Sequence, residues 1–150
     1  MLVVASIAAG CGAIPGSSIG GNYVGVNDLH AICRLPGRCE QPLECEGKIA
    51  LVKGRIDSYN VFDRSRFPSL PYEKFTLLDA NGSKALEVWV HIENNQEVFE
   101  KIALQSKNPA RQAYVRGRIV GVDMQMEKAC ARGFKLEITS PGDLRLEEDE

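Results

Sequence analysis

The stretch Val52-Lys53-Gly54-Arg55-Ile56 lies inside a long run of β-forming residues, Lys48 to Phe62. Its alternation of apolar and polar side chains predicts a strand with one face in a core, and the central glycine marks a point where a bulge can bend that strand. The pattern returns as Val115-Arg116-Gly117-Arg118-Ile119, within a predicted strand from Ala113 to Met124. The sequence therefore predicts two long, curved strands, as expected in a small barrel.

Three more strands and one helix complete the predicted pattern. The additional strands are Glu73 to Leu78, Ala85 to Ile92 and Phe134 to Thr139. The turn Asn81-Gly82 favours a tight hairpin between the first two of these. Apolar residues at helical spacing predict a short helix near Val98 to Ala103. The predicted order is therefore three strands, one helix and two strands.

This order and the repeated V-x-G-x-I pattern resemble the OB-fold, a five-stranded Greek-key barrel with one helix between its third and fourth strands. The likeness covers residues 45–147, and the strand pattern is similar to that of bacterial OB-domain proteins of the tRNA-anticodon-binding-like type, some of them lipoproteins. The resemblance implies a mainly β domain with a binding groove on its second and third strands. Residues 148–150 are expected to form an acidic tail.

The N-terminal residues form an apolar run of small side chains that ends at Cys11. Ala8-Ala9-Gly10-Cys11 resembles the lipobox of bacterial lipoproteins, in which the cysteine receives a diacylglyceryl group. We therefore expect residues 1–11 to be a truncated lipoprotein signal with Cys11 as the lipidated residue. Residues 12–44 are expected to form a Gly- and Ser-rich tether and a cysteine-containing N-terminal segment, mostly irregular over residues 12–30. The alternative for residues 1–11 is a buried strand in which Cys11 is an ordinary cysteine.

Four further cysteines form an even set that can make two disulfides in an oxidising periplasm. Cys130 is placed beside the far end of the first predicted strand and Cys45 at its start, which disfavours a bond between these two. We expect the pairs Cys33–Cys130 and Cys39–Cys45, and the alternative is a Cys39–Cys130 bond. The spacing of the first three cysteines differs from that of a zinc ribbon, and a metal site that includes His30 is the weaker alternative. We therefore expect no metal and no cofactor. A cytoplasmic protein with free thiols is the remaining alternative.

Charge and motif content narrow the function classes. Eighteen Lys and Arg stand against twenty Asp and Glu, a net charge of −2. The chain as a whole is therefore not built to neutralise nucleic-acid backbones, and any such binding needs a local patch. No acid–base pair or nucleophile–base spacing emerges, so we expect a binding protein and no enzyme.

The candidate ligand contacts are the outward residues of the predicted groove and of its flanking loops. Aromatic rings there can stack on bases or sugars, and arginines can contact phosphates or other anions. The candidates are Trp89, His91, Arg55, Tyr59, Arg64, Arg66, Phe67, Tyr72, Arg116, Arg118, Lys128 and Arg132.

These features predict a lipid-anchored module of the cell envelope, in the periplasm or at the outer membrane. It would be held on the membrane through Cys11 and would bind a protein partner, a saccharide or a small anion. The alternative is a single-stranded nucleic-acid-binding protein, which would be cytoplasmic if residues 1–11 are not a signal.

Overall fold

The computed structural model describes residues 18–33, 38–81, 83–91 and 95–147. These residues form a mainly β domain, which confirms the predicted class of secondary structure. The strands are β1 (Ser18–Gly25), β2 (Ile49–Phe62), β3 (Lys74–Leu78), β4 (Ala85–Val90), β5 (Ala113–Gln125), β6 (Cys130–Ile138) and β7 (Leu144–Leu146). The α-helices are α1 (Val26–Cys33) and α2 (Gln96–Gln105), and a short 3-10 helix, Pro141–Asp143, precedes β7.

Five strands follow one another around a partly closed ring in the order β2, β3, β4, β6, β5. The ring closes where β2 pairs antiparallel with β5, from Ile49 opposite Arg118 to Gly54 opposite Ala113. Strands β4 and β6 pair in parallel, and the other neighbours in the ring are antiparallel. β1 adds to β2, and β7 adds to β5. The sheet therefore has two strands beyond the five that were predicted.

Gly54 lies where β2 leaves β5 and begins to pair with β3. A Cβ atom at this position would lie 2.6 Å from the backbone oxygen of Leu78. Only glycine allows the two strands to approach so closely. The register between β2 and β3 then shifts between Ile56 and Val61. The sequence predicted a bulge at Gly54 itself, whereas the irregular pairing lies a few residues beyond the glycine.

The core lies inside the ring and is built from alternate residues of each strand. In β4, Leu86, Val88 and Val90 are buried, while Glu87 is exposed and Trp89 is half-buried. This alternation places every second side chain on the outer face of the sheet, as the sequence pattern predicted.

The segment before β2 corrects one sequence prediction. Residues 12–30 were expected to be mostly irregular, and that expectation is wrong for residues 18–30, which lie in β1 and α1. Val26, Leu29 and Cys33 are completely buried, because their spacing puts them on one face of α1 that packs on the core. The predicted signal (residues 1–11, with Cys11), residues 12–17 and the acidic tail (148–150) lie outside the described residues.

The disulfide pairing is a second correction. Two disulfides form as expected, but they join Cys33 to Cys45 and Cys39 to Cys130, so the predicted pairs Cys33–Cys130 and Cys39–Cys45 are wrong. Because β5 runs antiparallel to β2, its C-terminal half extends past the start of β2 and not past its far end. The hairpin between β5 and β6 therefore brings Cys130 to Cys39.

In the described part of the chain, no helix is long and apolar enough to cross a membrane.

Candidate ligand-binding cleft

Four aromatic side chains form a row on the outer face of the sheet, and we call them the aromatic row. Trp89 lies at its centre, with ring centroids 5.0 Å from Tyr72 and 6.5 Å from His91. The Trp89 and His91 rings are stacked, with 24° between their planes. Phe62, at the end of β2, extends the row with a ring centroid 6.5 Å from that of Tyr72. The row therefore crosses from β2 to the end of β4.

Two lysines fix the orientation of the Trp89 ring. Lys74 lies directly opposite Trp89 in the ladder between β3 and β4, and its Nζ is 5.6 Å from the ring centroid. The same Nζ is 4.9 Å from the Tyr72 centroid. Nζ of Lys135, which lies on the other neighbouring strand, β6, is 3.4 Å from the Trp89 centroid. Such cation–π contacts contribute about 0.5–2 kcal/mol each, so the ring is held in a defined position.

Glu87 anchors the indole N–H. Its Oε2 accepts a hydrogen bond from Trp89 Nε1 at 3.0 Å, and its Oε1 pairs with Lys74 Nζ at 2.9 Å. Burial by itself would raise the pKa of Glu87. The hydrogen bonds from Trp89 and Lys74, together with the charges of Lys74 and Lys135, outweigh burial and lower that pKa. Glu87 is therefore held in its charged form beside the row.

Glu137, on β6, is the acidic partner of Lys135. Its Oε1 lies 3.4 Å from Nζ of Lys135 and 3.3 Å from Nε2 of His91. Each lysine that contacts Trp89 thus has an acidic partner. The aromatic row consequently carries nearly balanced charge, although positive groups surround its central ring.

A cleft of about 210 Å³ opens beside the row. It is lined by Arg64, Pro71, Tyr72, Glu73, Trp89, Val90, His91 and Asn95. We call it the aromatic cleft. It combines aromatic walls with hydrogen-bond donors and acceptors, and polar groups of this kind fix the orientation of a bound ligand.

Glu73 is the buried polar residue of this lining, with 8% of its surface exposed. Its Oε1 accepts a hydrogen bond from the backbone N–H of Arg64 at 3.2 Å, while its Oε2 has no hydrogen-bond partner in the described part of the chain. The Arg64 side chain donates to the backbone oxygen of Leu70 at 2.9 Å, which braces the loop between β2 and β3. A carboxylate with a spare oxygen therefore lies next to the rings.

The structure brings four of the predicted contacts together and places the others elsewhere. Arg64, Tyr72, Trp89 and His91 line the aromatic cleft. Arg66 lines a separate cleft near α2, and Arg116 and Arg118 line a third depression beside Thr139. Tyr59, Phe67 and Lys128 are exposed, and Arg55 lies on β2 opposite Leu78.

Arg132 has a structural role in the β5–β6 hairpin. Its Nε lies 2.5 Å from Glu46 and its Nη1 lies 2.7 Å from Asp123. The hydrogen bond from Arg132 lowers the pKa of Glu46. These contacts tie the hairpin to the segment before β2, on the same side as the Cys39–Cys130 disulfide.

Sequence reasoning placed Glu87 on the outer face beside Trp89, but it missed Lys74, Lys135 and Glu137. The position of Lys74 could have been predicted, since the predicted hairpin around Asn81-Gly82 sets the register that puts it opposite Trp89. The positions of Lys135 and Glu137 could not have been predicted, because the parallel pairing of β4 with β6 joins residues far apart in the chain.

No protein-family model matches this chain, and no curated protein matches it. Within the described ranges, no group of three or more His, Cys, Asp or Glu side chains is placed to hold a metal ion.

Proposed function

We propose that this chain is a lipid-anchored protein of the cell envelope that binds a saccharide in the aromatic cleft of an OB-fold barrel. The observation that carries the proposal is the row of Tyr72, Trp89 and His91 along a cleft that also contains a carboxylate oxygen without a hydrogen-bond partner among the described residues. The role is one of binding without catalysis.

The strand order supports an OB-fold assignment. An OB-fold is a partly open five-stranded barrel whose second and third strands present the ligand-binding face. The ring β2, β3, β4, β6, β5, with α2 between β4 and β5, corresponds to that description if β1 and β7 are additions to it. Trp89 and its neighbours then lie on the second and third strands of the barrel.

The chemistry of the aromatic cleft favours a saccharide. The flat, apolar faces of sugar rings pack on aromatic side chains, and sugar hydroxyls need both donors and acceptors. Tyr72 and Trp89 supply the ring surface. Arg64 and Asn95 supply donors, and Glu73 supplies an acceptor.

The charge distribution disfavours a polyanion at this site. Binding of nucleic-acid phosphates depends on lysines and arginines that are free to replace counterions. Lys74 is paired with Glu87, and Lys135 is paired with Glu137. The net charge next to Trp89 is therefore close to zero, which suits a neutral ligand better than an oligonucleotide.

The cell-envelope location rests on two features. Ala8-Ala9-Gly10-Cys11 resembles a lipobox. The two disulfides favour an oxidising compartment, since cytosolic thiols are kept reduced. Intact-mass analysis of the membrane fraction of cells that express the full chain tests the anchor. Cleavage before Cys11 with an added diacylglyceryl group supports it, and an unprocessed soluble product contradicts it.

Calorimetric titration tests the ligand class. We expect the wild-type chain to bind a neutral trisaccharide, chitotriose or maltotriose, more tightly than a ten-residue oligothymidine. Trp89→Ala should weaken saccharide binding by about 1–3 kcal/mol, the range that alanine substitution gives for aromatic rings stacked on nucleobases. Arg116→Ala is the matched control, because this exposed residue lies on another face and should leave saccharide binding unchanged.

Two results would contradict the proposal. One is tight oligothymidine binding that Arg116→Ala weakens, which would favour the nucleic-acid alternative. The other is saccharide binding that Trp89→Ala does not change, which would assign the aromatic row to architecture.

A further inference from the structure

The stretch of β2 between Ile56 and Val61, where its pairing with β3 is irregular, presents one tyrosine to solvent. Tyr59 is 94% exposed, more than the other large hydrophobic side chains that lie exposed in the described residues. The backbone here is held by Asp57, whose carboxylate accepts hydrogen bonds from the backbone N–H of Tyr59 and from the side-chain amide of Asn60. Exposed tyrosines on ordered backbone are typical anchors of protein interfaces.

A second cleft, of about 170 Å³, lies next to this stretch of β2, between β2 and α2. We call it the β2–α2 cleft. Ser58, the residue before Tyr59, lines it, and its apolar walls include Val61, Phe99 and Ile102. A cavity of about 150 Å³ is large enough to hold benzene. The β2–α2 cleft can therefore take one aromatic ring.

The cleft also offers a hydrogen-bond acceptor. Gln105 lines it and is 1% exposed. Its Nε2 donates to the backbone oxygen of Arg111 at 2.6 Å, while its Oε1 has no hydrogen-bond partner in the described part of the chain. Burying an acceptor without a partner is unfavourable, so a ring that carries a hydroxyl group fits this cleft better than a plain one.

Tyr59 has the complementary chemistry, but it does not fill its own cleft, because its ring is almost fully exposed. We propose that two copies of this chain associate through this face, each inserting Tyr59 into the β2–α2 cleft of the other. The ring and the cleft lie side by side, which is the arrangement that a two-fold axis needs to pair them reciprocally. The cleft is thus completed by a residue of the second copy.

The surroundings of the cleft suit contact between copies. Phe67, 47% exposed, follows the cleft residue Arg66 in the loop after β2. Leu104, 54% exposed, lies between the cleft residues Ala103 and Gln105 on α2. Exposed apolar side chains gathered around a cleft are characteristic of an interaction surface.

Analytical ultracentrifugation of the full chain tests this proposal. We expect the wild type to show a concentration-dependent equilibrium between monomer and dimer. Tyr59→Ser removes the ring and Ala103→Trp fills the cleft, so each should weaken dimerisation at least tenfold. Both positions are exposed, and circular dichroism should show both variants folded. Met126→Ser, at an exposed residue between β5 and β6, is the matched control and should leave dimerisation unchanged.

Mixing the two variants gives the sharper result. Each homodimer lacks both insertions, whereas a mixed dimer keeps one, with Tyr59 of the Ala103→Trp chain in the open cleft of the Tyr59→Ser chain. We therefore expect the mixture to associate more tightly than either variant alone. A mixture that stays as weak as its components would overturn the reciprocal insertion. A wild type that remains monomeric up to millimolar concentration, even if its cleft binds free phenol, would overturn self-association and leave the cleft to a different partner.

Discussion

Nζ of Lys135 lies 3.4 Å from the centre of the Trp89 ring. Lys135 is on β6 and Trp89 is on β4, two strands that pair in parallel. This contact therefore links the aromatic row to a strand that lies far from it in the chain. It makes the position of the Trp89 ring depend on the correct pairing of β4 with β6.

Removing the charge of Lys135 tests that dependence. Lys135→Met keeps most of the apolar stem and should lower the free energy of unfolding by about 0.5–2 kcal/mol, the range of a cation–π contact that is partly withdrawn from water. Urea denaturation followed by the fluorescence of the single tryptophan measures the change. Lys128→Met, at an exposed residue after β5, should have no measurable effect.

Gly54 and Gly117 allow a direct test of strand approach. A Cβ at Gly54 would lie 2.6 Å from the Leu78 backbone oxygen, against 3.1 Å from the Glu137 backbone oxygen at Gly117. Backbone cannot yield as a flexible side chain can, so Gly54→Ala should destabilise the fold by about 1–3 kcal/mol and Gly117→Ala by less. Equal stability losses in thermal unfolding of the two variants would show that β2 and β3 are not packed so closely.

The two disulfides should contribute unequally. In the chain-entropy treatment, closing the 91-residue separation of Cys39–Cys130 stabilises by about 5 kcal/mol and the 12-residue separation of Cys33–Cys45 by about 3 kcal/mol. Through chain entropy, the double replacement of Cys39 and Cys130 by Ser should therefore lower the free energy of unfolding more than the double replacement of Cys33 and Cys45 by Ser. Non-reducing peptide mapping of the wild type checks the pairing itself, and a Cys33–Cys130 peptide would contradict it.

Acid should destabilise the fold through Glu46 and Glu87. Both carboxyls have a pKa below the usual 4.5 in the folded state. A lowered folded pKa stabilises the fold above the unfolded value, and this stabilisation is lost as pH falls through the folded pKa. The free energy of unfolding should thus decrease below about pH 4.5, and Glu46→Gln should flatten that decrease. If urea denaturation shows the same decrease in the free energy of unfolding at low pH for Glu46→Gln as for the wild type, Glu46 does not contribute to the acid sensitivity.

The sequence was informative wherever contacts are local. Alternation in β4 identified Trp89 as an outward residue, and Asn81-Gly82 identified the hairpin that places β3 beside it. The disulfide pairing was not predictable, because it depends on which end of β2 the β5–β6 hairpin overlaps. That register is fixed by pairing between Ile49 and Arg118, residues far apart in the chain.

Strand β1 and helix α1 were missed for a different reason. Glycine and serine before Val26 indicated a flexible tether, yet the apolar residues of α1 complete the core. Burial of Val26, Leu29 and Cys33 outweighs the weak strand propensity of the preceding glycines. Composition alone does not reveal where such a segment packs.

The most direct test of saccharide binding follows the indole N–H of Trp89 by NMR. Because Trp89 is the single tryptophan, its Nε1–H signal needs no assignment by mutation. On titration with chitotriose or maltotriose, we expect this signal and the backbone signals of Tyr72, Glu73 and His91 to shift together along one binding curve. If these signals do not shift at saturating saccharide, whether signals from another face shift or no signal shifts, the proposed binding site is contradicted.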